Sequence, residues 1–396
     1  METDRPRRGL ATSAGCALLV LAGCGGGGGG GGGSGGDGAP PPAAAPPPES
    51  SVPPPSWTLE RTSPADLEVP AAAVDAVLDH VFTDEAVQSA VLVDRGHVIG
   101  ERYADGYDAE SYGTSWSVAK SIYSAAVGAA VDAGDIASAE QPAADFLTEW
   151  VGTDKEGITV RNILEMRSGY PADVGIFTQE DQSAFALDVR LVNEPGTLFV
   201  YSNANSQLME LLLRRATGAD AHTYLARQIL EPIGIDPAAV GLWLDPTGVN
   251  PLTYCCIDMR PDDFARFGLL YARGGEWDGA RVLSESWIDE SLTAASAVYG
   301  FQWWVLNAAF FDGDTPPIEV AAALGLDGQK IYVWREEDVV LVVLTRYEHF
   351  RNQGYVLSLN NWPNTCTGRN TCPGADGPRV RPFDERVLID RMAALR

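Results

Sequence analysis

The chain has 396 residues, of which 45% are hydrophobic and 9% aromatic, enough for one large hydrophobic core or two smaller ones. Its formal net charge at pH 7 is −26, and a surface this negative repels phosphate backbones and anionic lipid headgroups. Nucleic-acid binding and peripheral attachment to a membrane surface are therefore disfavoured.

The N-terminus has the pattern of an export signal. Three arginines among the first eight residues precede an apolar run over 10–21, which is too short to span a bilayer as a helix. The run ends in Leu21-Ala22-Gly23-Cys24, which resembles the bacterial lipobox, where the cysteine is acylated and becomes the mature N-terminus. We predict a lipoprotein signal peptide over 1–23 with lipidation of Cys24; the alternative is an ordinary cleaved signal with a chance cysteine.

A low-complexity segment follows the predicted lipidation site. Nine consecutive glycines begin directly after Cys24, and two proline triplets come next. Glycine makes such a segment flexible and proline extends it, so residues 24–56 are predicted to be a tether. The remaining residues, 57–396, are predicted to form one exported domain in the cell envelope, periplasmic or at the cell surface, attached to the membrane only through the lipid.

Four cysteines remain beyond the leader, namely Cys255, Cys256, Cys366 and Cys372. An oxidising compartment allows three pairings, and the sequence does not choose among them. Cys366 and Cys372 flank a short turn, which suits a local disulfide, whereas the adjacent pair Cys255-Cys256 suits cross-links to them. The spacing is not that of a zinc site, so we expect no metal.

The first elements of the domain are a hairpin and a helix. Two β-rich runs, 89–93 and 97–103, surround Asp94-Arg95-Gly96, a turn typical of a β-hairpin. A helix is predicted from Ser117 to Ala133, ending before Gly134. This helix is apolar nearly all round, so we expect it to be packed on several sides.

The rest of the chain is mainly helical to about residue 234, followed by a second predicted hairpin over 330–345 and an amphipathic helix over 384–395. This order predicts an antiparallel sheet built from both ends of the chain, flanked by helices, with an inserted helical lobe over about 139–245. The fold class is therefore mixed α/β, of the α+β type.

Ser117 and Lys120 are the first candidate catalytic residues. Positions i and i+3 share one face of a helix, so the serine hydroxyl and the lysine amine can meet. Serine is a poor nucleophile unless a neighbouring base removes its proton, and lysine is a base only when burial or positive potential lowers its pKa. The N-terminus of a buried helix supplies both conditions. Arginine cannot take this role because it stays protonated.

Tyr201 and Asn203 are the second candidates. The tripeptide Tyr201-Ser202-Asn203 follows a turn and precedes a predicted helix. A loop at the edge of the helical lobe can place it across a cleft from Ser117. There, Tyr201 would transfer a proton to the leaving group and Asn203 would hydrogen-bond the substrate.

These motifs carry a family resemblance. In order along the chain they are Val118-Ala119-Lys120-Ser121, Met166-Arg167-Ser168-Gly169, Pro195-Gly196-Thr197 with Tyr201-Ser202-Asn203, and Asp263-Phe264-Ala265-Arg266-Phe267-Gly268. Over about residues 85–345 the chain resembles the β-lactamase-related serine hydrolases: class C β-lactamases, D-alanyl-D-alanine carboxypeptidases, family VIII-like esterases and 6-aminohexanoate-dimer hydrolase. The resemblance implies a β-lactamase/transpeptidase-like fold, a serine acyl-enzyme and no cofactor.

The third motif of that family, Lys/His-x-Gly, is where the chain departs. The matching segment is Leu326-Asp327-Gly328-Gln329, with Leu326 in place of the basic residue that helps bind a substrate carboxylate. This change argues against a β-lactam or a D-Ala-terminated peptide as the main substrate. By position, Gly328 and Gln329 would contact the substrate, and the backbone N–H groups of Ser117 and Gln329 would form the oxyanion hole. Whether the nearby Lys330 compensates for Leu326 stays open.

Other candidates are weaker. Trp303, Trp304 and Tyr254 would line an aromatic pocket wall or simply pack in the core. The chain has no Gly-x-Ser-x-Gly elbow, and its four histidines are isolated in sequence, which disfavours a Ser-His-Asp triad.

We therefore predict a serine hydrolase that cleaves an amide or ester bond of a small molecule, with Lys120 and Tyr201 as proton carriers. The runner-up is a β-lactamase or D-Ala-D-Ala carboxypeptidase. The alternative from another class is a non-catalytic envelope protein that uses the same cleft for binding.

Overall fold

The structure is a computed structural model that describes residues 59–172, 174–346, 371–374, 377–380 and 383–396. The predicted signal peptide (1–23), the tether (24–56), Cys24 and Cys366 lie outside these residues, as does the side chain of Cys372. Among the described helices, none combines the length and the apolar character that crossing a bilayer requires.

A seven-stranded sheet is the centre of the fold. Its spatial order is β1-β3-β2-β12-β11-β10-β9. The strands are β1 (Glu60–Arg61), β2 (Val87–Asp94), β3 (His97–Tyr103), β9 (Trp304–Val305), β10 (Ala321–Leu324), β11 (Lys330–Trp334) and β12 (Val339–Thr345). Neighbours are antiparallel except β1 and β3, which are parallel. The predicted antiparallel sheet, built from both ends of the chain, is confirmed, with β1 as an unpredicted parallel edge.

The smaller strands form three further sheets. They are β4 (Gly113–Thr114), β5 (Gly241–Leu242) and β6 (Ile257–Met259) in the order β4-β6-β5, the pair β7 (Glu276–Trp277) and β8 (Ala280–Arg281), and the pair β13 (Thr371–Gly374) and β14 (Gly377–Val380). The β4-β6-β5 sheet matters most for the site, because β4 leads directly into Ser117.

The described helices are α1 (Ala71–Val81), α2 (Val118–Ala133), α3 (Val160–Leu164), α4 (Gln182–Asp188), α5 (Asn203–Thr217), α6 (Ala221–Leu225), α7 (Pro261–Ala272), α8 (Glu285–Leu292) and α9 (Glu385–Ala393). The predicted helical lobe over 139–245 contains α3 to α6 together with several 3₁₀ turns. Helix α3 begins with a capping box between Thr159 and Asn162, which satisfies backbone donors at its start.

Helix α2 is buried, and most of its side chains are small or apolar on every face. All residues from Val118 to Ala130 are buried. Gly128 lies against the indole of Trp287, so near that an added Cβ would be 2.5 Å from the ring. The helix ends at Gly134, whose positive φ of 81° suits a residue without a Cβ. The predicted central helix is confirmed.

The core has two parts, one on each face of the central sheet. Val91, Val93 and Ile331 pack on the face covered by α2 and α7, whereas Ala90 and Leu92 pack on the face covered by α1 and α9. Alternate residues of a strand point to opposite faces, so β2 and β12 must be apolar throughout. Every residue of both strands is buried, and their polar residues lie toward the strand ends.

Candidate active site

Ser117 lies at the N-cap of α2, at the mouth of the buried helix. The preceding segment is held by β6, since the Ser115 N–H donates to the Ile257 carbonyl over 2.8 Å. Trp116 has a positive φ of 44°, which a bulky residue adopts only under strain. Such strain immediately before a candidate nucleophile indicates a backbone shaped by the site rather than by local preference.

Lys120 is 1% exposed and points back toward Ser117. Its Nζ lies 2.8 Å from Ser117 Oγ, 2.9 Å from Asn203 Oδ1 and 2.7 Å from the Tyr254 carbonyl oxygen. Burial lowers the pKa of Lys120 from 10.5 to about 7, although negative charge on Cys255 and Cys256 would raise it. Burial therefore makes the neutral amine accessible near physiological pH.

Two of the three contacts of Lys120 can only accept hydrogen bonds. The Asn203 atom at the amine is a carbonyl-type oxygen, and Tyr254 contributes a backbone carbonyl. A neutral amine has two N–H groups and one lone pair. When both N–H groups donate to these oxygens, the lone pair is left for the Ser117 hydroxyl proton.

Tyr201 completes the group. Its side chain lies beside that of Ser117, and its ring centre is 4.9 Å from Lys120 Nζ. Burial raises the pKa of Tyr201 far above 10, an effect that the neighbouring Ser117 side chain opposes in part. Tyr201 is therefore a neutral phenol at physiological pH and can donate a proton.

The ring of Tyr201 is held by aromatic neighbours. Trp304, from β9, stacks on it at 5.5 Å between centroids with an interplanar angle of 17°, and Tyr299 meets it edge-on at 6.2 Å. Trp303 points elsewhere and stacks on Phe267 in the other part of the core. Of the two adjacent tryptophans, only Trp304 thus belongs to the wall of the site.

Buried polar contacts bring α2 and α5 together. Ser121, one residue after Lys120, donates to the Gln302 carbonyl over 2.6 Å, and Ser206 of α5 donates to Gln302 Oε1 over 2.9 Å. Thr253 donates to the Ser206 carbonyl over 2.9 Å, which anchors the loop that carries Tyr254. These contacts explain how residues distant in sequence meet at one point.

The turn between β10 and β11 approaches the nucleophile segment closely. An added Cβ on Gly325 would lie 2.4 Å from the Ser115 carbonyl oxygen, so only glycine allows this contact. Gln329 is fully buried, and its side chain bonds to Thr345 through Nε2–Oγ1 at 2.6 Å. Gly328 has a φ of 103° in the turn. The side chain of Gln329 is therefore engaged inside the protein.

Lys330 does not replace the basic residue missing at Leu326. Its side chain is 2% exposed, and Nζ lies 3.2 Å from Glu385 Oε1 and 3.5 Å from the centre of the Phe383 ring. Because Glu385 and Phe383 belong to the C-terminal segment, this ion pair ties β11 to α9. Lys330 therefore does not compensate for Leu326, because its ammonium group forms an ion pair with Glu385.

Three groups of the site carry no motif in the sequence. The Tyr254 carbonyl gives no sequence signal because every residue has a carbonyl. Gly325 cannot be singled out among the 42 glycines of the chain. Trp304 could be located by its aromatic character, but not distinguished from Trp303. By contrast, Ser117, Lys120, Tyr201 and Asn203, all selected from the sequence, lie together in the structure.

The remaining candidates lie apart from this group. His80 bonds to the Asp384 carbonyl, His97 to Thr62, and His222 stacks on Tyr123, while His349 lies outside the described residues. Within the described part of the chain, no three His, Cys, Asp or Glu side chains are grouped to hold a metal. Cys255 and Cys256 are buried free thiols in this structure.

Comparisons with known proteins agree with this architecture. The Beta-lactamase family model matches residues 74–354. The 6-aminohexanoate-dimer hydrolase of Paenarthrobacter ureafaciens is 25% identical over 350 residues, covering 76% of this chain and 86% of the relative.

Solved structures show the same fold. A penicillin-binding protein homologue from Caulobacter crescentus has a TM-score of 0.56 at 17% identity, covering 69% of this chain and 91% of that one. The octameric penicillin-binding protein homologue from Pyrococcus abyssi has a TM-score of 0.54 at 17% identity, covering 69% of this chain and 73% of that one.

The fold and the family match define the class as a serine hydrolase that cleaves amide or ester bonds. The chain belongs to the Beta-lactamase family, whose model covers well over half of its length.

Proposed function

We propose that this chain hydrolyses linear amides or esters through an acyl-enzyme on Ser117. Lys120 accepts the Ser117 proton as the hydroxyl attacks the carbonyl carbon, and the Tyr201 phenol passes a proton to the leaving group. Water then attacks the acyl-enzyme and frees the acid. The observation that carries the proposal is the contact set of Lys120, which leaves its lone pair for Ser117.

Substrate binding is proposed to involve Asn203 and the backbone at Gln329. Since Oδ1 of Asn203 is engaged by Lys120, its amide nitrogen remains to donate to a substrate carbonyl. The N–H groups of Ser117 and Gln329 form the proposed oxyanion hole, with Gly328 shaping the turn.

A linear substrate is favoured over a β-lactam by the charge at the cleft. Leu326 stands where the penicillin-recognising motif has a basic residue, and Lys330 is engaged by Glu385. Neither of these residues supplies a cation for a substrate carboxylate. A relative named as a 6-aminohexanoate-dimer hydrolase is consistent with a linear amide.

A substrate panel tests this proposal. Purified protein is expected to hydrolyse p-nitrophenyl esters and short linear amides at least about tenfold faster, in kcat/KM, than nitrocefin, a difference of about 1.4 kcal/mol. A fluorophosphonate probe is expected to label the wild type and the control Ser286→Ala, which changes an exposed serine of α8, but not Ser117→Ala. Faster turnover of nitrocefin would favour the β-lactamase alternative, and labelling of Ser117→Ala would contradict the nucleophile.

Trp304 provides a second test, because it holds the ring of Tyr201. Aromatic pairs contribute about 0.5–1.5 kcal/mol beyond buried area, so Trp304→Leu is expected to lower kcat roughly three- to tenfold with little change in KM. Trp304→Phe should recover most of this loss. The matched change Trp303→Leu, in the other part of the core, should lower the Tm but spare kcat. Equal losses of kcat in both leucine variants would contradict a positioning effect of Trp304.

A further inference from the structure

The adjacent cysteines lie beside the candidate base. Cys255 and Cys256 are 4% and 1% exposed, and they are adjacent in the chain. Both are close enough to Lys120 to influence its charge. Both side chains belong to the hydrophobic core, and the catalytic scheme uses neither thiol. Two adjacent buried thiols beside a base can react with each other.

The dipeptide is tied at both ends to the nucleophile segment. On one side, the Tyr254 carbonyl accepts a hydrogen bond from Lys120 over 2.7 Å. On the other side, the Ile257 N–H donates to Ser115 Oγ over 2.7 Å. Ser115 precedes Ser117 by two residues. Any change in the backbone between Tyr254 and Ile257 must therefore alter the position of Lys120, of the Ser117 segment, or of both.

We propose that Cys255 and Cys256 are a two-electron redox site, and that closing a disulfide between them lowers the activity of the Ser117–Lys120 pair. The effect on activity rests on the proposed function, whereas the formation of the disulfide does not. In the structure the thiols are free and Lys120 is in bonding reach of Ser117, so the reduced form is the active one.

The oxidant is of the hydroperoxide class. One thiol attacks hydrogen peroxide, becomes a sulfenic acid and releases one water. The sulfur of the other thiol then displaces the sulfenic hydroxyl, which leaves as a second water. Overall, the S–H bonds are lost, one S–S bond forms, and the peroxide takes up two electrons and two protons.

Ring closure strains the backbone because the cysteines are adjacent. Disulfides normally join residues whose Cα atoms are roughly 4.4–6.8 Å apart, and the Cα atoms of neighbours are nearer than that. In the disulfide the two sulfur atoms are bonded at about 2.05 Å, a separation that free thiols do not reach. The backbone that connects Lys120 to Ser115 through this dipeptide is thus expected to shift.

Burial makes the oxidation slow. It raises the pKa of the Cys256 thiol, while the positive charge of Lys120 lowers it only in part. A protonated thiol is a weak nucleophile, so a small neutral oxidant and a long incubation are required.

The full chain treated with hydrogen peroxide tests the proposal. Residual thiols are alkylated after denaturation, and the mass of the tryptic peptide 228–266 is measured, since trypsin does not cleave the Arg260–Pro261 bond. This peptide contains Cys255 and Cys256 but none of the other cysteines. We expect it to lose two hydrogen atoms and to resist alkylation, with kcat on a p-nitrophenyl ester at least fivefold lower and restored by dithiothreitol. Cys255→Ser and Cys256→Ser variants should each lose this reversible response.

A structural readout separates this proposal from the hydrolase itself. Hydrogen–deuterium exchange in the peptides that contain Ser115 to Lys120 and Ile257 should increase on oxidation and return on reduction. If the protein cleaves no ester but shows the mass change and the exchange response, the proposed hydrolysis fails and the redox site stands. Two alkylatable thiols after peroxide treatment, or a disulfide that leaves both kcat and exchange unchanged, would overturn the redox site.

Discussion

Lys120→Met is expected to lower kcat/KM by about 10³–10⁴-fold, because general base catalysis accelerates reactions by factors of this order. Methionine keeps the length and the apolar part of the side chain but has no lone pair that can take the Ser117 proton. Lys120→Arg should be equally inactive, since a guanidinium does not lose its proton near neutral pH. The measurement is steady-state hydrolysis of a p-nitrophenyl ester, with circular dichroism to confirm that the variants are folded.

The pH profile follows from the same amine. The protonated form at low pH has no lone pair, so kcat/KM should rise with pH and level off above the pKa of about 7. One unit below that pKa, roughly a tenth of the amine is neutral, and the rate should be about tenfold below the plateau.

A matched control comes from another lysine of this chain. Lys155 is also largely buried, and its Nζ donates to the Leu187 carbonyl over 2.6 Å. Lys155→Met removes a lysine of the same kind without touching the Ser117 group, so kcat should be retained. Full activity in Lys120→Met, or a rate that is flat between pH 6 and 8, would show that Lys120 is not the base.

Tyr201→Phe is expected to lower kcat by about 10²–10³-fold on an amide, since proton donation to the leaving group typically contributes in this range. The loss should be much smaller on a p-nitrophenyl ester, because p-nitrophenolate leaves without protonation. Phenylalanine keeps the stacking on Trp304, so KM should change little. The comparison of kcat for amide and ester substrates, measured in one preparation, is the deciding experiment.

Tyr299→Phe is the control for this second prediction. Tyr299 contacts the ring of Tyr201 edge-on and is also fully buried, but the proposed proton path does not include it. Its loss of a hydroxyl should leave the ratio of amide to ester turnover unchanged. Equal losses on both substrates in Tyr201→Phe would mean that Tyr201 serves the attack of Ser117 rather than the departure of the leaving group.

Much of the fold could be predicted from the sequence because its signals are local. The hairpin around Asp94-Arg95-Gly96 is encoded by turn residues between β-branched runs, and the end of α2 by Gly134. Ser117 and Lys120 share a helix, so their spacing alone predicts that they meet. Tyr201 and Asn203 were selected from a tripeptide between a turn and a helix, but no local rule places that loop opposite a helix 84 residues earlier.

The tertiary structure decided what depends on neighbours that are distant in sequence. Trp303 and Trp304 look alike in the sequence, but successive residues of an extended segment point to opposite sides, so only Trp304 reaches Tyr201. In the sequence Lys330 directly follows Gln329, a candidate for substrate contact. In the structure its ammonium group forms an ion pair with Glu385 of α9 instead.

The sequence by itself determined which amine and which hydroxyl could react, because one helical turn brings them together. Only the tertiary structure decided whether that amine is a base. Its pKa depends on the loss of water around Nζ and on two oxygens, one of them a backbone carbonyl 134 residues away. Solvation and long-range contacts of this kind arise from packing, and no short stretch of residues encodes them.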